Sequence, residues 1–329
     1  MSRIKAQINT DKTNPCASVK NPCISVIEMD KDKIFKGIKG KIRFQESLKD
    51  HTTFKIGGPA KFFIEPQDID DLRLLLNSVN PPAGRQGKIP ILVIGAGSNI
   101  LISDKGLNAV VLRLNSPHFR RISFRNNYLE VGSGVSLSQI VLSAEKHNLS
   151  GAEFLVGIPG TVGGALVMNA GIRGRNIGDL VENVTIMDYN GNVKTLNKKD
   201  IKFDYRVSSL SKYIILSACI KLAKRNREEI KDKLNRYLNY RKVTQDLSFP
   251  SAGCIFKNPA GYSAGRLIDL CGLKGKRIKD ACVSLKHANF ILNLRRAKAG
   301  DIFRLINLIK KEVKNKFHIT LKPEIKIWQ

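Results

Sequence analysis

Glycine is concentrated in one part of this chain of 329 residues. Residues 151–178 contain eight glycines, whereas an even spread of the chain's 26 glycines places about two there. The centre of this window reads Gly157-Ile158-Pro159-Gly160-Thr161-Val162-Gly163-Gly164-Ala165, and Gly171 follows. Glycine lets backbone N–H groups approach a ligand without obstruction by a Cβ atom, and successive N–H groups form an anion-binding nest. We therefore predict that this window, including Gly171, is a loop that binds the diphosphate of a cofactor.

A second glycine loop, Gly95-Ala96-Gly97-Ser98-Asn99, follows the apolar run Ile91–Ile94. It looks like the start of a Rossmann fingerprint, but that fingerprint requires a helix directly after the loop. Here Ala109–Leu114 predicts another strand after the turn Asp104-Lys105-Gly106. Two separate loops, each attached to strands, indicate a dinucleotide held between two subdomains. The alternative is that both loops are tight turns without a ligand.

The hydrophobic pattern predicts a mixed α+β protein. Asp68–Val79 has leucines at helical spacing, Ser136–His147 begins with a serine cap, and Asn226–Lys242 has an apolar residue at every fourth position of its core face. A composition change near residue 224 indicates a domain boundary. Further helices are predicted at Ser263–Leu270 and Asp301–Phe317, and strands at Lys61–Glu65, Ile91–Ile94, Ala109–Leu114, Val181–Asp188, Val193–Leu196, Tyr213–Leu222, Asn289–Leu294 and Ile325–Trp328.

The composition excludes several classes of protein. No apolar run reaches the roughly 18 residues of a membrane span, and the first 30 residues lack the apolar stretch of a secretory signal. Six cysteines without a C-x-x-C pair indicate reduced thiols in a cytoplasmic protein, not a disulfide framework or a metal centre. Residues 1–38 are predicted to be a flexible extension, and Pro81-Pro82-Ala83-Gly84 a surface turn.

The charge of the chain is strongly positive, with 56 basic and 28 acidic side chains. Residues 191–329 hold 32 of the basic and 11 of the acidic side chains, so most of the excess lies in the C-terminal part. Such a field attracts anions, either nucleic acid or small phosphorylated ligands. The charge alone does not choose between them, and a lysine-rich solvated surface is an equally good explanation.

Eight segments, in order from about residue 40 to the C-terminus, resemble the UDP-N-acetylenolpyruvoylglucosamine reductase family. These FAD enzymes make UDP-N-acetylmuramate for bacterial peptidoglycan. The glycine segments are shared with the wider vanillyl-alcohol-oxidase type of flavoenzyme, whereas the last four segments point to the reductase. The segments are HTTFKIGGPA (51–60), VIGAGSNILISDKG (93–106), GIPGTVGGALVMNAG (157–171), FDYRVSSL (203–210), SAGCIFKNP (251–259), AGRLIDLCGLKG (264–275), VSLKHANFILN (283–293) and LKPEIKIW (321–328).

The resemblance implies a fold, cofactors and ligands. The fold is α+β, with a two-subdomain FAD-binding fold of the vanillyl-alcohol-oxidase (PCMH) type and a C-terminal α+β substrate-binding domain. We expect the FAD-binding domain at 39–224, divided into about 39–115 and 116–224, and the substrate-binding domain at 225–329, with strand 320–329 a candidate to return to the first domain. The resemblance also implies bound FAD, NADPH as co-substrate and a UDP-sugar substrate, and we expect a cytoplasmic monomer without metal, nucleic acid or membrane partners.

The shorter form of the family is the closer match, because Tyr205-Arg206 leads into the strand Tyr213–Leu222 without room for the tyrosine loop of the longer form. Reduction of the substrate's vinyl ether drives negative charge onto its carboxylate. Arg206 matches the family's catalytic arginine, and its guanidinium fork suits a carboxylate. Glu324 matches the catalytic glutamate, and it can donate a hydrogen bond if burial raises its pKa.

Cys254 stands where the family normally has a serine that donates the proton. A thiol has an ordinary pKa near 8.5, far below that of an aliphatic hydroxyl, so it is able to protonate a carbanion-like carbon. The alternative is that Cys254 only fills space and that water or another group supplies the proton. Lys257 and Asn258 are predicted substrate contacts, with Arg241 and Gln245 as further candidates. Other departures from the family pattern are Arg173, Asp246 and Asp280.

Two other functions are compatible with the sequence. One is an FAD-dependent oxidase of the same flavin fold that acts on another substrate, against which the segments Lys257-Asn258-Pro259 and Pro323-Glu324 argue. The other is a basic nucleic-acid-binding protein. The chain has no helix-turn-helix, zinc-finger or ribonucleoprotein signature to support that function.

Overall fold

The computed structural model describes residues 35–79, 89–172 and 174–329. Three predictions fall outside these ranges, namely the extension as far as residue 34, the turn Pro81-Pro82-Ala83-Gly84 and the departure at Arg173. Residues 37–329 form one unit by their contacts, and the described helices and strands lie within it.

The first part of this unit contains a four-stranded sheet of order β1-β2-β5-β3, with one helix. Its elements are β1 (Lys41–Ser47), β2 (Pro59–Glu65), α1 (Ile69–Val79), β3 (Ile91–Val93), β4 (Ile100–Ile102) and β5 (Leu107–Leu112). β1 is antiparallel to β2, whereas β5 runs parallel to both β2 and β3. The helix buries Leu72, Leu75 and Leu76 completely, which confirms the helical spacing read from the sequence.

The second part is built on a five-stranded antiparallel sheet. Its elements are β6 (Ile122–Arg125), β7 (Tyr128–Gly132), α2 (Leu137–Lys146), β8 (Leu149–Ser150), α3 (Val162–Met168), β9 (Gly171–Ile172), β10 (Arg175–Asn176), β11 (Val181–Met187), β12 (Val193–Asn197), β13 (Phe203–Asp204), β14 (Val207–Ser208), β15 (Ile214–Lys221) and β16 (Ala223–Lys224). The sheet has the order β12-β11-β15-β7-β6. Val184 and Ile186 of β11 share a buried core with Ile140 of α2 and Val162 of α3. Ser136 caps α2, as predicted, through a capping box with Gln139.

The third part packs two of its helices with a small sheet of order β17-β18-β19. Its elements are α4 (Arg227–Thr244), α5 (Ala264–Leu270), β17 (Arg277–Ile278), β18 (Ala281–Val283), β19 (Ile291–Asn293), α6 (Ala299–Phe317) and β20 (Lys326–Trp328). Ile302, Ile306, Ile309 and Val313 form the buried face of α6, as predicted. β20 pairs in parallel with β4, so the end of the chain lies beside the strand that follows the loop Gly95–Asn99.

Two features of the local structure were not predicted. Strands β1, β4, β6, β7 and β18 and the two-residue strands β8, β9, β10, β13, β14, β16 and β17 were missed, and the window 157–165 is not a continuous loop. Helix α3 begins at Val162, because the Thr161 hydroxyl accepts a hydrogen bond from the Gly164 N–H at 3.4 Å and caps the first turn. A Cβ on Gly163 would lie 3.1 Å from Ser133 Cβ, so a glycine at this point permits close packing of the helix. The loop prediction is therefore wrong for residues 162–165.

None of the described helices is both long enough and apolar enough to cross a membrane. The strand that follows Gly95–Asn99 is β4, which confirms that this loop does not open a Rossmann helix.

Candidate active site

The two glycine loops lie against each other. A Cβ on Gly95 would approach the Thr161 hydroxyl to 2.5 Å, and one on Gly160 would lie 3.9 Å from the Ser98 hydroxyl. Gly97 has a left-handed backbone with φ of 63°, and a Cβ there would lie 2.0 Å from the His51 carbonyl oxygen. The structure therefore brings Gly95–Asn99 and Gly157–Thr161 together, with glycine required where the chains approach most closely.

The backbone N–H groups of these loops differ in whether they have partners. Val162 and Gly163 donate to backbone oxygens of the segment Ser133–Val135, both at 2.9 Å. By contrast, the structure gives no acceptor among the described residues to the N–H groups of Ser98, Asn99, Gly160 and Thr161. Free N–H donors on two adjoining loops suit a diphosphate group. The residues present therefore fit the diphosphate of FAD, and the free N–H donors lie on the loops before α3.

Gly171 lies close to the predicted catalytic arginine. Its carbonyl oxygen accepts a hydrogen bond from Arg206 Nη2 at 3.0 Å. Arg206 occupies the second position of the two-residue turn between β13 and β14, with φ of 57°. A left-handed arginine is strained by about 1 to 3 kcal/mol, and such strain is concentrated at functional sites. The turn directs the guanidinium to Glu324, whose Oε1 lies 2.9 Å from Arg206 Nε.

Cys254 and Glu324 are placed by neighbouring extended segments. Cys254 forms an isolated antiparallel β-bridge with Phe290, and Phe256 forms another with Pro323. The Glu324 N–H donates to the Ile255 carbonyl oxygen at 2.8 Å, which fixes the two segments side by side. The segment that carries Glu324 also contacts the first glycine loop, since Asn99 Nδ2 donates to the Glu324 carbonyl oxygen at 3.3 Å.

The electrostatics of this cluster favour protonated acids. Burial raises the pKa of the Cys254 thiol to about 12, Glu324 adds to the shift and Arg206 opposes it. Burial also raises the pKa of Glu324, although Arg206 and Lys257 both oppose that shift. The thiol is therefore protonated at neutral pH, and the carboxyl is moved towards its neutral form while remaining paired with a guanidinium.

Arg241 reaches the same cluster from the C-terminal end of α4. It is 7% exposed, and burial lowers its pKa, with a further lowering by the nearby charge of Arg206. Its Nη1 donates to Gln245 Oε1 at 3.1 Å, whereas its buried Nε has no partner in the described structure. A Cβ on Gly157 would lie 3.0 Å from Arg241 Cδ, so this side chain packs directly on the second glycine loop.

The remaining predicted substrate contacts meet at Tyr205, a residue to which the sequence assigned no role. Lys257 Nζ donates to the Tyr205 carbonyl oxygen and the Asn258 N–H to the Tyr205 hydroxyl, both at 3.4 Å. The Tyr205 side chain is 44% exposed and lies beside the Arg206 guanidinium. Asn258 Oδ1 accepts from the Ala264 N–H at 2.9 Å, which ties it to the start of α5. The only signal for Tyr205 was its place in the segment FDYRVSSL.

The catalytic and substrate candidates therefore gather around Arg206, with Gly157 and Gly171 next to them. Ala165 and Gly164 lie instead within the first turn of α3. In the part of the chain that the structure describes, no group of three or more His, Cys, Asp or Glu side chains is arranged to hold a metal ion.

Comparisons with known proteins agree on one family. Residues 60–197 match the model of the FAD binding domain, and residues 245–328 match the C-terminal domain of UDP-N-acetylenolpyruvoylglucosamine reductase. The chain is 44% identical over 299 residues to the reductase of that name from Caldanaerobacter subterraneus, covering 90% of this chain and 97% of that protein. It is 41% identical to the one from Clostridioides difficile, covering 88% and 94%.

A solved structure gives the same result. The crystal structure of UDP-N-acetylenolpyruvylglucosamine reductase from Thermus caldophilus superimposes with a TM-score of 0.75 at 35% identity, covering 89% of this chain and all of that one. The predicted fold class, with an FAD-binding fold followed by a C-terminal α+β domain, is confirmed.

Proposed function

The chain belongs to the UDP-N-acetylenolpyruvoylglucosamine reductase family, and on that premise we propose how its residues carry out the family's reaction. The chain reduces the enolpyruvyl ether of UDP-N-acetylglucosamine enolpyruvate to UDP-N-acetylmuramate, with FAD as the bound cofactor and NADPH as the reductant. When bound, FAD accepts electrons from NADPH and passes them to the enolpyruvyl group. The protein holds the cofactor, orients the substrate, stabilises the charge that develops and supplies one proton.

The two glycine loops hold the cofactor by its diphosphate. Their unpaired N–H groups, at Ser98, Asn99, Gly160 and Thr161, are available as donors without side-chain movement. Gly171 and Ala165 lie farther along the same segment. The close approach of the two loops supports this role, because it allows one dinucleotide to contact both loops. The cofactor then connects the first and the second part of the fold.

Arg206 binds the substrate carboxylate and stabilises the negative charge that forms on it during reduction. Its Nη2 donates to the Gly171 carbonyl oxygen, and its Nε forms an ion pair with Glu324 although it has no hydrogen-bond partner in the described structure, so the guanidinium is oriented before substrate arrives. Glu324, with its pKa raised by burial, supplies a hydrogen bond to the same developing charge in its protonated form.

Cys254 donates the proton to the substrate carbon next to the carboxylate. Its raised pKa keeps the thiol protonated, and its position beside Arg206 and Glu324 places it at the group that becomes electron-rich. The observation that carries these assignments is the 2.9 Å approach of Arg206 Nε to Glu324 Oε1 beside this thiol.

The substrate's nucleotide part binds to Lys257, Asn258, Arg241 and Gln245, because these basic and amide side chains suit a diphosphate and uridine. The positive charge of residues 191–329 fits anionic ligands of this kind. We place the boundary between the cofactor-binding and substrate-binding domains near residue 224. We also propose that the protein is a monomer and acts in the cytoplasm, where NADPH and UDP-sugars are available.

An anaerobic assay tests the function. NADPH is expected to bleach the flavin of the purified protein, and UDP-N-acetylglucosamine enolpyruvate is expected to restore its absorbance with formation of UDP-N-acetylmuramate. UDP-N-acetylglucosamine, which lacks the enolpyruvyl group, is the matched control and is expected to leave the flavin reduced. Reoxidation by oxygen but not by the enolpyruvyl substrate would instead indicate an oxidase of the same fold.

A further inference from the structure

One buried amide side chain contacts the segment that carries the proposed proton donor. Asn289 is 3% exposed and lies in the chain that leads into β19. Its Oδ1 accepts from the Phe256 N–H at 2.9 Å, and its Nδ2 donates to the Phe256 carbonyl oxygen at 2.8 Å. Its own carbonyl oxygen accepts from the Ile255 N–H at 2.8 Å. One residue therefore makes three hydrogen bonds to two consecutive residues that directly follow Cys254.

The opposite side of the same segment is held by the chain around Glu324. The Lys257 N–H donates to the Lys322 carbonyl oxygen at 2.9 Å, and the Ile255 carbonyl oxygen accepts from the Glu324 N–H at 2.8 Å. The residues after Cys254 are thus fixed between Asn289 on one side and Lys322–Glu324 on the other. Loss of either set of bonds lets the thiol and the carboxyl shift relative to each other.

We propose that Asn289 is a positioning residue that sets the distance between the Cys254 thiol and the Glu324 carboxyl. This inference rests on the proposed function of both groups. An asparagine is suited to the task because one side chain carries both a donor and an acceptor, which together replace a strand partner for Phe256. Phe256 is 1% exposed, so its N–H and carbonyl groups have no water to bind in place of the amide.

The same region offers a matched control in Asn293, which is also 3% exposed. Its Nδ2 donates to the Phe54 carbonyl oxygen at 2.9 Å, and its Oδ1 accepts from the Ala297 N–H at 3.0 Å. It therefore holds two backbone groups just as Asn289 does, but neither belongs to the segments of Cys254 and Glu324. Substitution at either site leaves two buried backbone groups unpaired, and only the first disturbs the proposed proton donor.

The experiment compares Asn289→Leu and Asn293→Leu as FAD-loaded proteins, in two half-reactions measured by stopped flow. We expect Asn289→Leu to slow substrate-driven reoxidation of the flavin by about 10- to 100-fold, as for a misplacement on the scale of an ångström. NADPH-driven reduction is expected to stay within about twofold of the wild type. Asn293→Leu is expected to lower the midpoint of thermal unfolding similarly but to slow neither half-reaction selectively.

A milder pair, Asn289→Asp and Asn293→Asp, keeps the test decisive if the leucine variants do not fold. A neutral aspartic acid can donate and accept as asparagine does, whereas its ionised form cannot donate. The rate of flavin reoxidation in Asn289→Asp is therefore expected to be near normal at low pH and to fall as the pH rises. Asn293→Asp is expected to show no such pH dependence. The Asn289 amide also interacts with the Cys254 thiol and lowers its pKa against the larger effect of burial. The pH dependence of alkylation of Cys254, followed by mass spectrometry without substrate, is therefore expected to change in the Asn289 variants alone.

The outcomes separate this inference from the function on which it rests. If the wild type is not reoxidised by the enolpyruvyl substrate, the proposed function fails. If the wild type is reoxidised and the Asn289 and Asn293 variants behave alike in rate, pH profile and thiol reactivity, Asn289 has a structural role only and this inference is overturned.

Discussion

The cofactor side and the reducing side of this site are built from different parts of the chain. On the proposed cofactor side, the available donors are backbone N–H groups of two glycine loops, and side chains contribute little. On the reducing side, the groups are side chains from distant segments, and an arginine from a turn pairs with a glutamate near the C-terminus. Backbone geometry fixes the cofactor side. The reducing side depends on the charges and burial of its side chains and on the segments that position those side chains.

This difference predicts that substitutions on the two sides fail in different ways. Changes in the glycine loops are expected to reduce cofactor retention and stability together. Changes in the side-chain cluster are expected to leave the cofactor bound and to slow the step that consumes the substrate.

The largest expected effect is that of Arg206→Ala. In the proposed mechanism the guanidinium is the fixed cation that stabilises the developing charge, and loss of such a group typically costs about 100- to 1,000-fold in rate. We expect the rate of flavin reoxidation by substrate to fall by this factor. The amount of bound FAD, measured as the ratio of flavin absorbance to protein absorbance, is expected to be unchanged. Arg225→Ala, at an exposed arginine, is the control and should retain full activity. A protein that loses FAD when Arg206 is replaced would place this residue on the cofactor side of the comparison.

The next effect is expected from Gly97→Ala, which tests the cofactor side. The added methyl group meets the His51 carbonyl oxygen at 2.0 Å, and the left-handed backbone disfavours any side chain. We expect little bound FAD and a loss of at least about 1 to 3 kcal/mol in the free energy of unfolding of the apoprotein. Gly261→Ala is the matched control, with φ of 75° but open space around its Cβ. An equal loss of FAD from the two variants would show that backbone strain, not the clash at the loop, controls binding, and full FAD content in both would contradict the role of this loop.

A smaller effect, on stability, follows from the raised pKa of Cys254. Because the folded-state pKa of about 12 lies well above that of an unperturbed thiol, the unfolded chain releases this proton first as the pH rises. The free energy of unfolding should therefore fall as the pH rises from about 9 towards 12. Between pH 8 and pH 10 we expect the wild type to lose about 1 to 2 kcal/mol more than Cys254→Ser, measured by urea denaturation. Parallel losses in the two proteins would mean that the thiol ionises normally.

The smallest effect is expected from Tyr205→Phe, which removes the hydroxyl that contacts the Asn258 N–H. The bond is long, at 3.4 Å, so we expect KM for the UDP-sugar to rise only about two- to fivefold with kcat unchanged. Tyr262→Phe, at a tyrosine that is 58% exposed, is the control. A fall in kcat without a change in KM would indicate that Tyr205 acts in the chemical step and not in substrate binding.

The sequence predicted those parts of the molecule that have a local signal. Glycine clusters, apolar spacing and the serine cap are readable over short windows, and the corresponding helices, strands and adjoining loops are present. The short helix after Thr161 was missed because two glycines in its first turn have low helix propensity, and packing against Ser133 overrides that preference.

Contacts between segments that are distant in sequence could not be predicted from local sequence patterns. Arg206 and Glu324 have no signal that pairs them in sequence, and only the resemblance to a family brought them into one site. Strand β4 has three residues, and its partner β20 lies more than 200 positions later, so neither sequence pattern nor length indicates the pairing. The role of Asn289 depends in the same way on a fold that brings it to Phe256.

The most direct test of the account is a single turnover of the reduced enzyme. Wild type, Cys254→Ala and Cys219→Ala, all with FAD reduced beforehand and without oxygen, are mixed with UDP-N-acetylglucosamine enolpyruvate, and flavin absorbance is followed. If the thiol supplies the proton, Cys254→Ala is reoxidised at least about 100-fold more slowly, while Cys219→Ala, which changes a half-buried cysteine in β15, matches the wild type. Reoxidation of Cys254→Ala at the wild-type rate would contradict the account.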